Sequence, residues 1–382
     1  MKETIHSMLR RCIGWDYSQP CIYCITVSLA DRRSQTLGKV VSDSGAPISA
    51  RCVLTPLGQA VEACWEAIPH FYPQIHIICK QVMPDHFHGI LWVKERLPCH
   101  LGQVIKGFKI GCNRAAGILS PSSVPPGKGL FAEGFQDTIL FQEGQLAKMI
   151  DYVKSNPSRL AVKRANPGLF TGVRDLRVRL STILSPITGL AAELHFAAIG
   201  NRSLLDRPMV QVQCSRRHFG YRRTEKRGEG LKIARDERGE PVAAFSTPEY
   251  ETLRDGLLAA ARHGAVLISP CVSDGERQIA REALHEGVPL VTMQNKGFAK
   301  LQKPSGRYFD ACAAARLLML APAAWPYTPA NKPMTRLDAT AMNRLCQWLA
   351  GEGAAIINYR GVTPAAIDKA ALEASGPPQV TT

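Results

Sequence analysis

The run from Ile75 to Val93 limits the fold of this chain more than any other stretch. Ile75 to Gln81 and His86 to Val93 are apolar segments rich in β-branched and aromatic residues, joined through Met83-Pro84-Asp85, which predicts two strands. Residues two apart on a strand share a face. His86 and His88 therefore present both imidazoles side by side while Phe87 packs into the core behind them. Two ring nitrogens so placed form a workable metal site, although a histidine pair on a strand is also a common structural or surface feature.

The flanking segments set this pair in an architecture. Cys21 to Leu29 reads as a buried strand, and a polar stretch with Gly38 and Gly45 follows it. Thr55 to Ile68 has helical spacing and is closed by Pro69. Leu101 to Leu119 reads as a helix carrying Lys106, Lys109 and Arg114, and Ser120 to Gly129 as a Ser/Pro/Gly loop. Phe135 to Phe141 alternates like a strand, and Gly144 to Ser155 is a helix stopped by Pro157. Strand, helix, strand, strand, helix, strand, helix is the order of a small α+β sandwich with helices on an antiparallel sheet.

On the last helix of that series, Tyr152 and Asn156 are four residues apart and share a face. Asn156 precedes a proline and is pushed out of helical geometry, which puts the pair at a helix end. Two imidazoles and an amide oxygen can hold a divalent metal with a phenol beside it. Such a metal polarises a phosphoryl oxygen, and the phenol is then a nucleophile able to leave a covalent phosphotyrosine. Lys106, Lys109 and Arg114 suit a phosphate backbone, and suit equally the solvated face of an amphipathic helix.

The charge balance favours a polyanionic partner. Across 382 residues the formal net charge is +15, while 45% hydrophobic and 21% charged residues are ordinary for a globular chain. No apolar run approaches the roughly 20 residues that cross a bilayer, and Met1 to Ser7 does not read as a signal peptide. Nucleic acid is thus the expected partner, without a membrane, in the cytoplasm. The twelve cysteines are scattered, and the close pair Cys21 and Cys24 has no second pair at zinc-ligand spacing, so reduced thiols are expected.

From about Ile22 to Leu160 the chain resembles the single-tyrosine HUH transposases, in particular the REP-associated tyrosine transposases and related insertion-sequence enzymes. The resemblance rests on the opening strand, on Val82-Met83-Pro84-Asp85-His86-Phe87-His88-Gly89-Ile90, and on Lys106-Gly107-Phe108-Lys109. It continues through Phe135-Gln136-Asp137-Thr138-Ile139 and Tyr152-Val153-Lys154-Ser155-Asn156-Pro157. It implies a ferredoxin-like or RRM-like sandwich, Mg2+ or Mn2+ held by His86, His88 and Asn156, and attack by Tyr152 on single-stranded or hairpin DNA. The product is a 5′-phosphotyrosine with a free 3′-hydroxyl, and the working form is often a homodimer. Ser120 to Gly129 and the long second half have no counterpart in minimal members of that family.

After Pro167 the pattern changes. His195 to Gly200, Ala265 to Ser269 and Pro289 to Met293 read as buried strands, with a helix over Asp274 to His285. Strand, helix and strand in that order predicts a doubly wound α/β, Rossmann-like domain. The expected division is 1–166 for the catalytic domain, 167–194 for a linker, 195–362 for the Rossmann-like domain and 363–382 for a frayed tail. The second domain loosely resembles DNA-processing protein A, through Ile199-Gly200-Asn201-Arg202, Val266 to Pro270, Ser273 to Arg277, Lys303-Pro304-Ser305-Gly306 and Leu317-Leu318. Ser269, Ser273, Asp274 and Gly275 lie where a strand passes into a helix, a place where exposed amides hold a phosphate or nucleotide, and where ordinary caps also occur.

Arg216 to Arg227 contains six cations, among them Arg216, Arg217, Arg222 and Arg223, with Phe219 and Tyr221 interleaved. That composition suits a flexible segment contacting phosphates and unpaired bases, or a solvated loop. The leading reading is a metal-dependent strand-cutting transposase or nickase. Its rivals are a DNA-structure binding protein that does not cut, and a nucleotide-binding enzyme whose activity lies in the second domain.

Overall fold

The computed structural model describes residues 12, 14–42, 49–124, 127, 129–141, 144–180, 193–226, 230–237, 239–299, 302–328, 334–351 and 362–376. They divide into two compact units, 1–165 with 237–239, and 166–236 with 240–382. Among the described residues no helix is long and apolar enough to cross a membrane.

The first unit is organised by β1 (Cys21–Ser28), which is apolar along its length and therefore sits inside a sheet. A hairpin of β2 (Gly38–Ser42) and β3 (Ala50–Leu54) follows, a feature that the polar stretch around Gly38 did not signal; Gly45 lies outside the described residues. Then come α1 (Pro56–Glu66), the short α2 (Ile68–Phe71), β4 (Ile75–Met83), β5 (His86–Val93), α3 (Leu101–Leu119), β6 (Gln136–Leu140), α4 (Gln145–Lys154) and α5 (Asn156–Ala165). The sheet order is β4-β5-β1-β6 with every pair antiparallel, the split βαβ arrangement of a ferredoxin-like sandwich.

Alternation along β1 and β5 divides the unit into two sides. Tyr23, Ile25 and Val27 of β1 and Phe87, Leu91 and Val93 of β5 join Val61 and Trp65 of α1 and Val104, Ile105 and Phe108 of α3 in the main core. Cys24 and Ile90 belong to a second, smaller core with Leu140 and Val153, under Leu146, Met149 and Ile150 of α4. So α1 and α3 cover one face and α4 covers the other. Thr55 starts α1 by accepting a hydrogen bond from Gly58 N, with Pro56 in the first turn where its missing N–H costs nothing.

Gly89 shows how tight the main core is. A Cβ there would stand 2.2 Å from Trp65 Cζ2, and Trp65 in turn packs against Phe87 with ring centroids 4.8 Å apart. The glycine between the histidines and the rest of β5 is thus a packing requirement of the indole.

In the second unit, α6 (Pro167–Phe170) and β7 (Val173–Arg179) precede β8 (Glu193–Gly200) and β9 (Met209–Gln211). Next are β10 (Phe219–Tyr221), β11 (Arg223–Lys226), β12 (Gly230–Ile233) and β13 (Ala243–Ser246). The remainder is α7 (Pro248–Arg262), β14 (Val266–Ser269), α8 (Asp274–Glu286), β15 (Leu290–Met293), α9 (Arg307–Ala313), β16 (Leu317–Pro322), α10 (Arg336–Ala350) and α11 (Pro364–Ala374). The main sheet runs β7-β8-β16-β15-β14-β9, with four parallel strands and an antiparallel pair at one edge.

Three expectations change here. The parallel strands are laid down in the single spatial sequence β9, β14, β15, β16, so right-handed crossovers put their helices on one face. The other face is closed later, by Ala341, Met342 and Leu345 of α10 and Ala371 of α11 packing on Val266, Ile268, Val291 and Leu318. The domain is therefore wound in one direction, without the strand-order reversal of a doubly wound sheet. The linker expected over 167–194 instead supplies α6 and β7, the latter paired with β8; 181–192 lie outside the described residues.

The tail expected over 363–382 contains α11, with Ile367 and Ala371 fully buried and Asp368 bridged to Arg344 at 2.6 Å. Its alanine-rich composition suits a helix once a neighbour is there to bury it. Residues 377–382 are outside the described set.

Replacing Gly89 by alanine is expected to lower unfolding stability by about 1–3 kcal/mol, the range for overpacking a filled core. Urea titration followed by tryptophan fluorescence measures it, and an unchanged midpoint would show that Trp65 can move aside.

Candidate active site

The antiparallel register pairs Thr26 of β1 with His88 and Ser28 with His86, so these four residues share the α4 face of the sheet. His86 Nε2 and His88 Nε2 are 3.1 Å apart. The outer nitrogens are held from behind: His86 Nδ1 meets Asp85 Oδ1 at 2.6 Å and His88 Nδ1 meets Thr26 Oγ1 at 2.8 Å. A carboxylate can only accept, so His86 donates from Nδ1. His88, donating from Nδ1 to the threonine oxygen, turns its Nε2 toward that of His86.

Charge and burial reinforce this state. Arg32 donates to Asp85 Oδ2 from Nε at 2.9 Å and bridges it through Nη2 at 2.8 Å. Burial alone would raise the Asp85 carboxyl, but the hydrogen bond and charge of His86, together with Arg32, outweigh it and hold the pKa at about 2. Burial, joined by the nearby His86 and Arg32 charges, pushes His88 down to about 3 against the pull of Asp85, so His88 is a neutral imidazole at physiological pH.

Tyr152, near the end of α4, lies edge-on against His88 with ring centroids 5.8 Å apart and is 41% exposed, so its phenol is open to a ligand from outside. Arg159 of α5 lies over the tyrosine ring, its guanidinium carbon 5.7 Å from the centroid. Pro157 does not simply stop the chain's helical course. The chain breaks at Ser155 and restarts as α5 with Pro157 in the first turn, a position that tolerates its missing N–H. Asn156 opens that turn, and its Nδ2 donates to Tyr152 O at 2.8 Å.

The donor set fits a divalent cation at two positions. Metal–nitrogen bonds of about 2.1 Å at right angles separate two nitrogens by about 3.0 Å, close to the observed Nε2 pair. Among the described residues, no group of three or more His, Cys, Asp or Glu is arranged to hold a metal. Any third ligand would have to come from another donor type; Asn156 Nδ2 is used on the backbone carbonyl of Tyr152.

The expected DNA-contacting helix is on the other side. α3 belongs to the main core, so the sheet stands between Lys106, Lys109 or Arg114 and the histidines. Lys109 has a structural role, donating from Nζ to Ala132 O at 2.7 Å and to Gly134 O, which ties α3 to the chain entering β6. Lys106 and Arg114 are exposed on that far helix. The sequence reading missed Thr26, Arg32 and Arg159. Asp85 stood inside the quoted motif without a role, and only its place beside His86 pointed to one.

In the second unit the expected phosphate cradle is already filled. Ser273 caps α8, and the Glu276 carboxylate accepts from Val272 N at 2.7 Å, Ser273 N at 3.1 Å and Cys214 N at 3.3 Å. The amides that would have met a phosphate serve this buried side chain. Asp274 accepts from Tyr221 N at 3.0 Å and pairs with Arg223, Ser269 Oγ accepts from Cys271 N at 3.1 Å, and a Cβ on Gly275 would stand 2.5 Å from Cys214 Sγ. These four residues are packing and capping groups.

The basic segment is ordered as well. Phe219 and Tyr221 are buried in β10, with Phe219 4.6 Å from Tyr250 between centroids, so neither ring is available to stack on a base. Arg223 is taken up by Asp274 and Arg222 is exposed, while Arg227 lies outside the described residues. Arg216 and Arg217, with His218, Arg277 and Arg336, line a cleft of about 1110 Å³ within this unit.

No family model matches the chain. An uncharacterised protein of Haemophilus influenzae is 27% identical over 133 residues, which is 30% of this chain and 71% of the relative. Among solved structures, a REP-associated tyrosine transposase bound to a REP hairpin is similar over 39% of this chain and 74% of its own, with 18% identity and a TM-score of 0.29. A Deinococcus radiodurans protein described as a candidate transposase is similar over 38% of this chain and 97% of its own, with 17% identity and a TM-score of 0.23. Superpositions this loose carry no argument about activity, which has to come from the site itself.

His88 gives a pH test of the geometry. Its folded pKa of about 3 lies below the ordinary 6.5, so the unfolded chain takes up a proton that the folded chain refuses. The associated stability is complete above about pH 6.5 and is lost as pH falls toward 3. In chelator, lowering the pH from 7.5 to 5 should cost about 2 kcal/mol through this residue. Chemical denaturation of wild type and His88→Gln measures it, and equal pH slopes in the two would count against a buried neutral imidazole.

Proposed function

We propose that the first unit is a metal-dependent DNA strand-cutting domain of the single-tyrosine HUH type, acting on single-stranded or hairpin DNA. The observation that carries this reading is Tyr152 lying against His88, whose Nε2 is 3.1 Å from that of His86. A nucleophile stands beside a paired-imidazole site on one open face of a sheet. His86 and His88, with Asn156 Oδ1 as third donor, would hold Mg2+ or Mn2+, which when bound withdraws charge from a phosphoryl oxygen.

The residues of the chain account for the rest. Asp85 and Thr26 set the tautomers and orientations of the two imidazoles. Tyr152 supplies the phenol oxygen that forms the new P–O bond while the 3′ oxygen leaves and takes up a proton from solvent. The phenol proton passes to water across the exposed side of the ring. A 5′-phosphotyrosine and a free 3′-hydroxyl result, and the phosphodiester bond energy is kept for rejoining. Whether the outcome is transposition or nicking at another locus depends on the DNA partner.

The expected outcome for Tyr152→Phe is loss of all covalent capture of a labelled single-stranded hairpin in Mg2+ or Mn2+, with binding reduced by no more than about tenfold, since one hydroxyl contact of about 0.5–1.5 kcal/mol is removed. Denaturing gel electrophoresis reads the adduct. Adduct persisting in the variant would remove Tyr152 as nucleophile. Wild-type binding without any adduct, indifferent to chelator, would favour the non-cutting reading.

The cleft of the second unit supports a second reading, in which that unit holds a phosphate-bearing ligand such as a nucleotide. Its volume and its cations at the carboxyl ends of parallel strands are what favour it. Arg216→Ala with Arg217→Ala should weaken binding of adenosine monophosphate to the full chain by about tenfold or more, since two charge-assisted contacts are removed. Isothermal titration measures this, and equal affinity in both proteins would take the ligand out of the cleft.

A further inference from the structure

Arg32, Asp85, His86, His88, Tyr152 and Arg159 form a chain of neighbouring pairs on the first unit that begins and ends on a guanidinium. Arg32 is joined to Asp85 at 2.8 Å, Asp85 to His86 at 2.6 Å, and His86 to His88 at 3.1 Å. His88 meets the Tyr152 ring at 5.8 Å, and the Arg159 guanidinium lies 5.7 Å from the same ring. The two groups placed to react with a phosphate are in the middle of these pairs.

We propose that Arg32 and Arg159 are the phosphate clamp of this site, each holding the backbone of a single DNA strand on one side of the phosphate presented to Tyr152. This rests on the strand-cutting reading for the identity of the central phosphate, but not for the binding itself.

The two arginines suit the task differently. Arg32 spends one edge of its guanidinium on Asp85 while its side chain remains 62% exposed, so most of the fork faces outward. Asp85 fixes the direction of that fork and also orients His86. Strand position and imidazole position are thereby tied to one carboxylate. Arg159 stands over the tyrosine ring, where its charge is close to any anion approaching the phenol. It comes from α5, the helix that opens with Asn156.

The same positions separate these cations from the ones that stand out in the sequence. Lys106, Lys109 and Arg114 are helical neighbours and stand out as a cluster, yet they lie across the sheet from the histidines. Arg32 is in the turn after β1 and Arg159 is beyond a proline. They share no periodic pattern, and only the folded structure sets them at the two ends of these contacts.

The test is the salt dependence of binding by the full chain, in chelator, to a fluorescent single-stranded oligonucleotide. Each phosphate contact adds about 0.7 to the slope of log affinity against log salt for single strands. Arg32→Gln and Arg159→Gln are each expected to lower the slope by about 0.7, and the double variant by about 1.4. Arg32→Lys and Arg159→Lys should keep the slope, because charge and not the fork sets it.

A slope equal to wild type in both glutamine variants overturns the clamp. A slope lost in the lysine variants also overturns it, since it would reveal a structural role. The strand-cutting reading fails separately, when wild type in Mg2+ or Mn2+ yields no covalent adduct whatever the slopes.

Discussion

The antiparallel register between β1 and β5 is the constraint on which the first unit depends. By setting Thr26 opposite His88, it sends Phe87, Leu91, Tyr23 and Ile25 into the main core and leaves the two histidines on the other face. A slip of one residue would bury the imidazoles among aromatic rings and expose Phe87, at the cost of a large buried apolar surface. The packing of Trp65 against Gly89 admits no side chain at that point of β5. The same interactions that hold the core together therefore hold the site open.

The opposite face of the sheet needs its own cover, and α4 provides it. Leu146, Met149, Ile150 and Val153 close the small core over Cys24 and Ile90, and this anchors the helix with Tyr152 at its last turn beside His88. The position of Tyr152 is a by-product of burying those four residues. Removal of the helix would expose both the small core and the histidine pair, so folding and site assembly are coupled.

The second unit illustrates how a familiar strand-to-helix turn can be put to internal use. Glu276 occupies the amides at the start of α8, and Asp274 occupies those of β10, so the turn joins three segments of chain. Burial raises the Glu276 carboxyl while the backbone donors of Ser273, Cys214 and Val272 oppose that rise. With both carboxylates drawn inward, Arg216, Arg217 and Arg336 line the neighbouring cleft together with the exposed Glu249.

Local pattern was enough to place much of this protein. Alternation and helical spacing located β1, β4, β5, β6, α1, α3 and α4, and the rule that strand residues two apart share a face set His86 beside His88. Helical spacing placed Tyr152 on α4 and short apolar runs placed the strands around α8, whereas the break at Ser155 puts Asn156 at the start of α5. What local pattern could not contain was which face each helix covers and which charges are already taken. Lys109 bonded to carbonyls, Glu276 seated on amides, α11 folded where a tail was expected, and Arg32 paired with Asp85 are all outcomes of contacts between distant segments. Such contacts depend on sheet order and register, which are settled by burying the whole apolar surface at once. The sequence alone determined the chemistry available on β5 and α4, and the tertiary structure decided which residues surround it.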